Sequence, residues 1–294
     1  MSQFAFFEHE SAAPDSSAPT SGHRFVPTVF AQSLWAEGTL NGPAVCALAA
    51  RSAESDFLIS GFRPARFTID LFKVARDVPT ATRGRLVRDG GRIKVAEVDV
   101  VQGDGDAEVL VARSTTVFVK ESANPPGERW TRTDEEIEFR PPVSDVDPEN
   151  HFPWYGAPDG DGGIAWSQDM KSHQDGRRKW LWTRAVSTVV GEVPTPFQRA
   201  AISGESTSLV CNWGSAGIAF INCDLTVALT RLPVGQRIGV EAASHLEVDG
   251  ISTSTTNLYD SNGQFGVGIV TGVDNSAATI DFTTIDTTQK YTEA

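Results

Sequence analysis

The chain has 294 residues, 40% of them hydrophobic and 21% charged, which supplies enough apolar material for one large domain or two of ordinary size. A formal net charge of −13 excludes nucleic acid and anionic membrane surfaces as partners, because phosphate binding draws on clustered Lys and Arg. Cys46, Cys211 and Cys223 lie far apart, match no metal-binding spacing and sit in apolar surroundings, so reduced thiols and a cytoplasmic location are expected.

MSQFAFFEHE lacks the basic-then-apolar order of a signal peptide, and no later run reaches the ~18 apolar residues of a membrane helix. Short aromatic strands are expected at 3–7 and 24–30, joined by a Ser-, Ala- and Pro-rich connection at 11–21. Gly42–Pro43 opens an Ala-rich helix, AVCALAARSAE, with proline in the first turn, where an amide has no helical partner. It carries no charge before Arg51 and so reads as buried. Strands follow at 63–75, 80–88, 92–102 and 107–119, separated by Asp77–Val78–Pro79, Asp89–Gly90–Gly91 and Gly103–Asp104–Gly105. RIKVAEVDV alternates sides cleanly, and the four form an antiparallel meander.

Residues 121–176 are rich in Pro, Asp, Glu and Gly and read as a long linker, pinned by Trp130, Trp154 and Trp166. A strand at 178–190 precedes Thr195–Pro196, which opens a second helix whose only strongly polar members are Gln198, Arg199 and Glu205. Strands at 217–230, 235–248, 251–260 and 265–273 complete this half, and the last 20 residues read as a peripheral tail.

The two halves repeat. Thr68–Ile69–Asp70–Leu71 and Asn222–Cys223–Asp224–Leu225 lie 154 positions apart, as do Val78–Pro79 and Leu232–Pro233, and the same shift carries Gly42–Pro43 onto Pro196–Phe197. Each copy is a strand, a buried helix and four antiparallel strands. A helix with so few charges is hidden only if sheet curls round it. The expected fold is therefore α+β, a double hotdog with two antiparallel sheets each wrapped round a central buried helix. Its parts are an N-terminal hotdog at 1–120, the linker at 121–176, a C-terminal hotdog at 177–274 and the tail at 275–294.

HRFVPTVFAQSLWAEGTLNGPAVCALAARSAE and RPARFTIDLFKVARDVPTATRGRLVRDGGRIKVAEVDVV in the first half resemble the bacterial double-hotdog acyl-CoA thioesterases. So do RKWLWTRAVSTVV, PTPFQRAAISGESTSLV, FINCDLTVALTRLPVGQRIGVEA and NLYDSNG in the second. The resemblance implies hydrolysis of a hydrophobic acyl thioester by water oriented by three residues. These are an acid on the second helix, a Thr, Ser or Asn on the next strand, and a Gln on the last strand. The acid position falls on Glu205 and the strand position on Asn222; the Gln position falls on Val270, with Thr271 as the nearest polar neighbour. The sequence thus departs from the family's pattern twice, with Glu for Asp at the acid position and an apolar residue for Gln.

A carboxylate in a closed apolar setting has a raised pKa and can act as a general base toward water, with Asn222 holding that water. Amides of a helix N-terminus near Ser203 or Gly204, or the hydroxyls of Ser206 or Thr207, are the expected donors to the substrate carbonyl. Trp213 belongs to a tryptophan cluster that forms core or lines an acyl pocket. The competing reading has Glu205 paired with an Arg or lying at an exposed turn, but its counterpart by the repeat is Arg51, which marks the second helix as the place for chemistry. Asp70 and Asp224 occupy equivalent positions and read as structural. Gly204–Glu205–Ser206–Thr207–Ser208 lacks the closing Gly of a nucleophile elbow, the five His lack ligand spacing, and Asp159–Gly160–Asp161–Gly162 reads as a plain turn.

No cofactor and no metal are expected. The leading expectation is a thioesterase-like hydrolase of bulky acyl-CoA substrates. The substituted Gln position keeps open a non-hydrolytic biosynthetic enzyme that cyclises or dehydrates a hydrophobic small molecule, and a non-catalytic acyl or lipid binder is a third possibility. The oligomeric state is open, a homo-oligomer included.

Overall fold

The computed structural model describes residues 4–10, 24–129, 139–143, 151–285, 287 and 291. Strands β1 (Ala5–His9) and β2 (Arg24–Pro27) lead into helix α1 (Gly42–Phe57), then β3 (Phe62–Leu71), β4 (Thr80–Asp89), β5 (Ile93–Gln102) and β6 (Val109–Lys120). The second half runs through β7 (Trp154–Pro158), β8 (Ile164–Ser167), β9 (Trp180–Arg184) and β10 (Ser187–Val189) to helices α2 (Pro196–Glu205) and α3 (Thr207–Asn212). A small hairpin follows, β11 (Trp213–Gly214) and β12 (Gly217–Ile218), and then β13 (Phe220–Asn222), β14 (Asp224–Leu229), β15 (Arg237–Val248), β16 (Ile251–Asp260) and β17 (Gly263–Asp274).

The first half pairs in the order β2-β4-β5-β6-β3 and the second in the order β9-β15-β16-β17-β14, so the chain order of strands across the sheet is the same in both. The two halves do not, however, make two separate sheets as expected. Among the described residues, β3 pairs with β14 and joins everything except the β11/β12 hairpin into one 15-stranded sheet. At this seam Asp70 sits opposite Asp224 and the Thr68 and Thr226 hydroxyls meet at 3.0 Å. Asp70 and Asp224 are the same position of the two repeats, so a pseudo-two-fold axis passes through their pairing. Hydrogen bonding β3 to β14 removes the two strand edges that separate sheets would leave open.

The helices explain their own lack of charge in the same way. Both α1 and α2 lie on the inner face and pack on each other, so each is covered by sheet on one side and by the other helix on the other. Ala44, Cys46, Ala47, Ala49, Ala50 and Ala53 of α1 and Phe197, Ala200 and Ala201 of α2 are fully buried. Small side chains let the helices approach closely, and Phe67 of β3 meets Phe197 edge-on with ring centroids 6.0 Å apart. Asn41 and Thr195 cap the two starts, accepting from the amides of Ala44 (2.9 Å) and Gln198 (3.2 Å), and each helix has proline in its first turn.

Other expectations change. Residues 154–167 are not linker: β7 and β8 form a hairpin that continues the sheet beyond β9. Trp154 and Trp166 lie on it, and Trp166 donates to the Arg140 carbonyl at 3.1 Å, whereas Trp130 lies outside the described residues. The strand expected at 178–190 divides at Ala185–Val186 because its second part turns away to pair in parallel with β1. The strand expected at 217–230 is three short pieces. Nor is the tail peripheral. Ile280 exchanges two 3.0 Å hydrogen bonds with Ile218, the Phe282 amide donates to the Gln174 side chain at 2.8 Å, and both side chains are buried. Asp159 accepts from the amides of Asp161 and Gly163, which makes the β7–β8 connection a simple Asx turn. All three cysteines are free thiols, but Cys223 is exposed rather than buried in apolar surroundings.

Candidate active site

Glu205 is the last residue of α2, and two local features put it there. Gly204 lets the helix settle on β14, since a Cβ at that position would come within 2.5 Å of the Val227 side chain. Thr207 then turns its hydroxyl back to the Gly204 carbonyl (2.6 Å) and bonds the Thr256 hydroxyl (2.8 Å), taking an acceptor that a continuing helix would use. The axis bends at Ser206, and α3 departs in a new direction. The bend leaves the Glu205 side chain pointing at the start of α1, where a Cβ added to Gly42 would fall on the carboxylate, with Cδ only 2.7 Å away.

Glu205 is 8% exposed, and no ion pair offsets its charge among the described residues. Burial pushes its pKa up to about 8, against the smaller opposing effect of a 3.3 Å hydrogen bond from Asn222 Nδ2 to Oε1. Asn222 ends β13 and holds its orientation by also donating to the Asp224 carbonyl at 3.3 Å. Its Oδ1 remains as an acceptor. The Cys46 thiol is pushed well up, first by burial and then by the Glu205 charge.

At the start of α1 the first amides have no intrahelical acceptor. Asn41 Oδ1 takes that of Ala44 and Pro43 has none, while no backbone acceptor takes that of Gly42 among the described residues. Asn41 is itself tied to the carbonyls of Phe30 (2.7 Å) and Gln32 (3.2 Å), so this helix end is rigidly placed. Positive end of the dipole, free amide and carboxyl group thus meet in one corner.

That corner opens into a cavity of about 760 Å³ lined by Gly42, Glu205, Ser206 and Asn222 together with Ser203 and Asn41. The remaining wall is largely apolar, with Phe6, Phe30, Trp35, Tyr155, Phe282 and Tyr291 among its members. Of the residues selected from the sequence, Ser203, Glu205, Ser206 and Asn222 line this cavity. Gly204, Thr207, Trp213, Val270 and Thr271 do not. The Thr207 hydroxyl is used against the sheet as described. Trp213 stands behind the wall, edge-on to Tyr155 (5.7 Å) and to Phe282 (5.2 Å). Val270 is fully buried in the core, and the Thr271 amide and hydroxyl both bond Asp224. Asp224 is thereby a strand-bracing group. The amides expected at a helix N-terminus near Ser203 and Gly204 are at a helix C-terminus instead, and the helix start that faces the carboxyl is that of α1.

Gly42, Asn41 and the cavity-lining tail are therefore additions to the set selected from the sequence. A signal for the first was present, because the repeat aligns Gly42 with Pro196, a residue without an amide. The quasi-equivalent corner has different chemistry. There Glu54 of α1 faces the start of α2 but accepts from the Thr195 hydroxyl (2.5 Å) and the Gln198 side chain (3.2 Å), and Arg51 is occupied by a two-pronged pair with Glu192 at 2.6 and 2.7 Å. Neither Glu54 nor Pro196 lines the cavity that Glu205 and Gly42 share. Among the described residues no group of His, Cys, Asp and Glu is arranged to hold a metal ion, and no helix is long and apolar enough to cross a membrane.

Residues 31–119 match the sequence profile of the acyl-CoA thioesterase N-terminal domain, and residues 140–267 match that of the acyl-CoA thioesterase C-terminal domain. The second match begins inside the stretch that composition marks as linker. A tesB protein of Mycobacterium avium subspecies paratuberculosis is similar in structure, with TM-score 0.58 and 14% identity over 85% of this chain and 92% of the other. A hot dog fold protein of unknown function from Alicyclobacillus acidocaldarius has TM-score 0.62 at 14% identity over 88% and 94%. The acyl-CoA thioesterase II TesB2 of Mycobacterium marinum has TM-score 0.57 at 13% identity over 86% and 91%. At such identities these structures speak for the hotdog fold alone. No curated protein matches the sequence.

Proposed function

We propose, for a chain that belongs to the thioesterase-like hotdog family, that it hydrolyses thioesters of bulky hydrophobic acyl groups, with Glu205 as general base and Asn222 as its partner. The observation that carries this reading is a proton-holding carboxyl, hydrogen-bonded to Asn222 and facing a helix start, inside a cavity of about 760 Å³. Such a volume lies within the range of sites that enclose a small-molecule ligand.

In the proposed reaction the ionised Glu205 takes a proton from water while Asn222 Oδ1 accepts the other hydrogen, and the oxygen attacks the thioester carbon. Negative charge develops on the carbonyl oxygen, and the Gly42 amide at the positive end of α1 is the donor placed to receive it. Collapse of the adduct breaks the C–S bond. The departing sulfur takes the proton held by Glu205, leaving acid, thiol and the original carboxylate.

The test is thiol release from a panel of acyl-CoAs of increasing chain length. Turnover that rises with chain bulk and falls at least 100-fold in Glu205→Gln is expected; no turnover with any chain, or full turnover by the variant, overturns the reading.

One observation favours a second reading. The position at which the resemblance implies a Gln is Val270, in the core and away from the cavity. The enclosure could then serve a cyclisation or dehydration of a hydrophobic small molecule, where holding the substrate in one conformation does much of the work. Tight binding of such a compound without thiol release would distinguish it.

A further inference from the structure

Two phenol groups on the wall of the cavity have no place in the scheme above. Tyr155 of β7 stands opposite Leu181 of β9 and both line the cavity, whereas the adjacent cross-strand pair, Trp154 and Trp182, lies on the other face of the sheet and does not. Tyr155 therefore points inward, with Trp213 edge-on to its ring at 5.7 Å. Tyr291 lines the same cavity, its ring packed among Phe4, Phe30 and Phe152 with centroids 6.1, 5.7 and 5.2 Å away. Burial raises both phenol pKa values above the ordinary 10.0, and the Tyr291 phenol adds to the effect on Tyr155, so the two groups are neighbours and both keep their protons.

Neither phenol oxygen has a hydrogen-bond partner among the described residues, and neither is sealed in the core as the partnerless hydroxyls of Ser114 and Thr116 are. A buried tyrosine ordinarily finds a partner for its hydroxyl. A plain alkyl chain entering the cavity would strip water from both oxygens and return nothing, a cost that phenylalanine at the two positions would avoid. A chain with an oxygen at that point makes up the loss. The spot is also separate from the corner that takes the thioester, because burial and Asn222 set the Glu205 pKa with no part played by either phenol, and Glu205 plays none in theirs.

We infer that the Tyr155 and Tyr291 hydroxyls form a second polar subsite of the cavity, and that the acyl group it takes carries a hydroxyl or keto oxygen along its chain. This rests on the proposed thioester substrate. The two hydroxyls donate to that oxygen, and no covalent bond forms or breaks there. The corner at Gly42, Glu205 and Asn222 fixes one end of the substrate, the phenols fix a second point, and the apolar wall takes up the carbon chain. A site that hydrogen-bonds a substrate oxygen rejects the analogue without it more steeply than an apolar pocket counts methylenes, so selection is by where the oxygen lies and not by length alone.

Binding tests the subsite independently of turnover, with the non-hydrolysable thioether S-dodecyl-CoA and a series of its counterparts bearing one hydroxyl at successive carbons of the chain. Wild type should bind the counterpart hydroxylated at one position, or at two adjacent ones, about tenfold more tightly than the plain chain. In the Tyr155→Phe/Tyr291→Phe double variant the order should reverse, the same compound binding about tenfold more weakly than S-dodecyl-CoA, because its hydroxyl is then buried without a partner. The Tm of the free variant should be no lower than that of wild type, since the rings stay and no hydrogen bond is lost. A wild type in which no hydroxylated compound outbinds the plain chain overturns the inference. So does a preference that survives in the double variant, or a Tm lowered by more than about 2 °C, which would mean that the hydroxyls are satisfied within the protein. A wild type that prefers one hydroxylated thioether but releases no thiol from lauroyl-CoA or from the matching hydroxylauroyl-CoA would leave the subsite standing and remove the hydrolytic reading instead.

Discussion

Glu205 sets a pH dependence whose sign follows from its burial. Its ordinary pKa is 4.5 and its value in the folded protein is about 8. Between these the folded chain holds a proton that the unfolded chain has released, so this residue's contribution to stability falls as pH rises from 4.5 toward 8 and levels off above. Glu205→Gln, which keeps the shape and cannot ionise, should therefore match wild type in urea unfolding at pH 4.5 and exceed it by roughly 4 kcal/mol at pH 8. Hydrolysis depends on the ionised form and should run the other way, with kcat/KM climbing to a plateau above about pH 8; a profile flat from pH 6 to 9 would exclude Glu205 as the base. Gly42→Ala should push the carboxyl out of position and lower kcat/KM at least tenfold, because the added methyl has nowhere to go but into Glu205. Glu205 and Asn222 were legible in the sequence because a single acid on a bland helix and an adjacent motif name them. The role of Gly42 was not, since it depends on which helix start the bend at Ser206 aims the carboxyl toward.

At the scale of elements, the two helices are the same device used differently. Both begin with a capping side chain and a proline, and each start faces an acid from the other. Thr195 does more than cap α2, because its hydroxyl also donates to Glu54, whose pKa is raised by partial burial. Thr195→Ala should lower the unfolding free energy by about 1 kcal/mol, while Thr195→Ser stays near wild type; equal losses in the two would show that the methyl rather than the hydroxyl matters. The meander, the helix starts and the repeat were all legible, since alternation, Gly–Pro and Thr–Pro are local signals. The breaks at Ala185–Val186 and between β12, β13 and β14 were not. Each arises where a strand gives up one partner for another, a long-range choice that no local pattern records. The hairpin at 154–167 was hidden by its polar, Gly-rich connection.

For the whole molecule, the cavity is closed by parts that are distant in sequence. Phe282, from the stretch expected to be peripheral, is 3% exposed and packs on Trp213 behind Tyr155. Phe282→Ala should reduce stability by about 3 kcal/mol, and by enlarging the cavity it should move the preferred acyl chain to a greater length. An unchanged chain-length profile would place the acyl end elsewhere. The seam at Asp70 and Asp224 has a consequence of a different kind. In an assembly of two identical subunits a substitution is written twice, so a glycine kept at one helix start is kept at both, and a residue that fills one pocket fills its twin. Joining the halves in one polypeptide lifts that constraint. One helix start has Gly42 while the other has Pro196, and one acid is held by Asn222 in the cavity while the other is held by Thr195 and Gln198. Covalent fusion thus lets half of a symmetric scaffold be given over to rigidity while the other half keeps a reactive group facing a cavity.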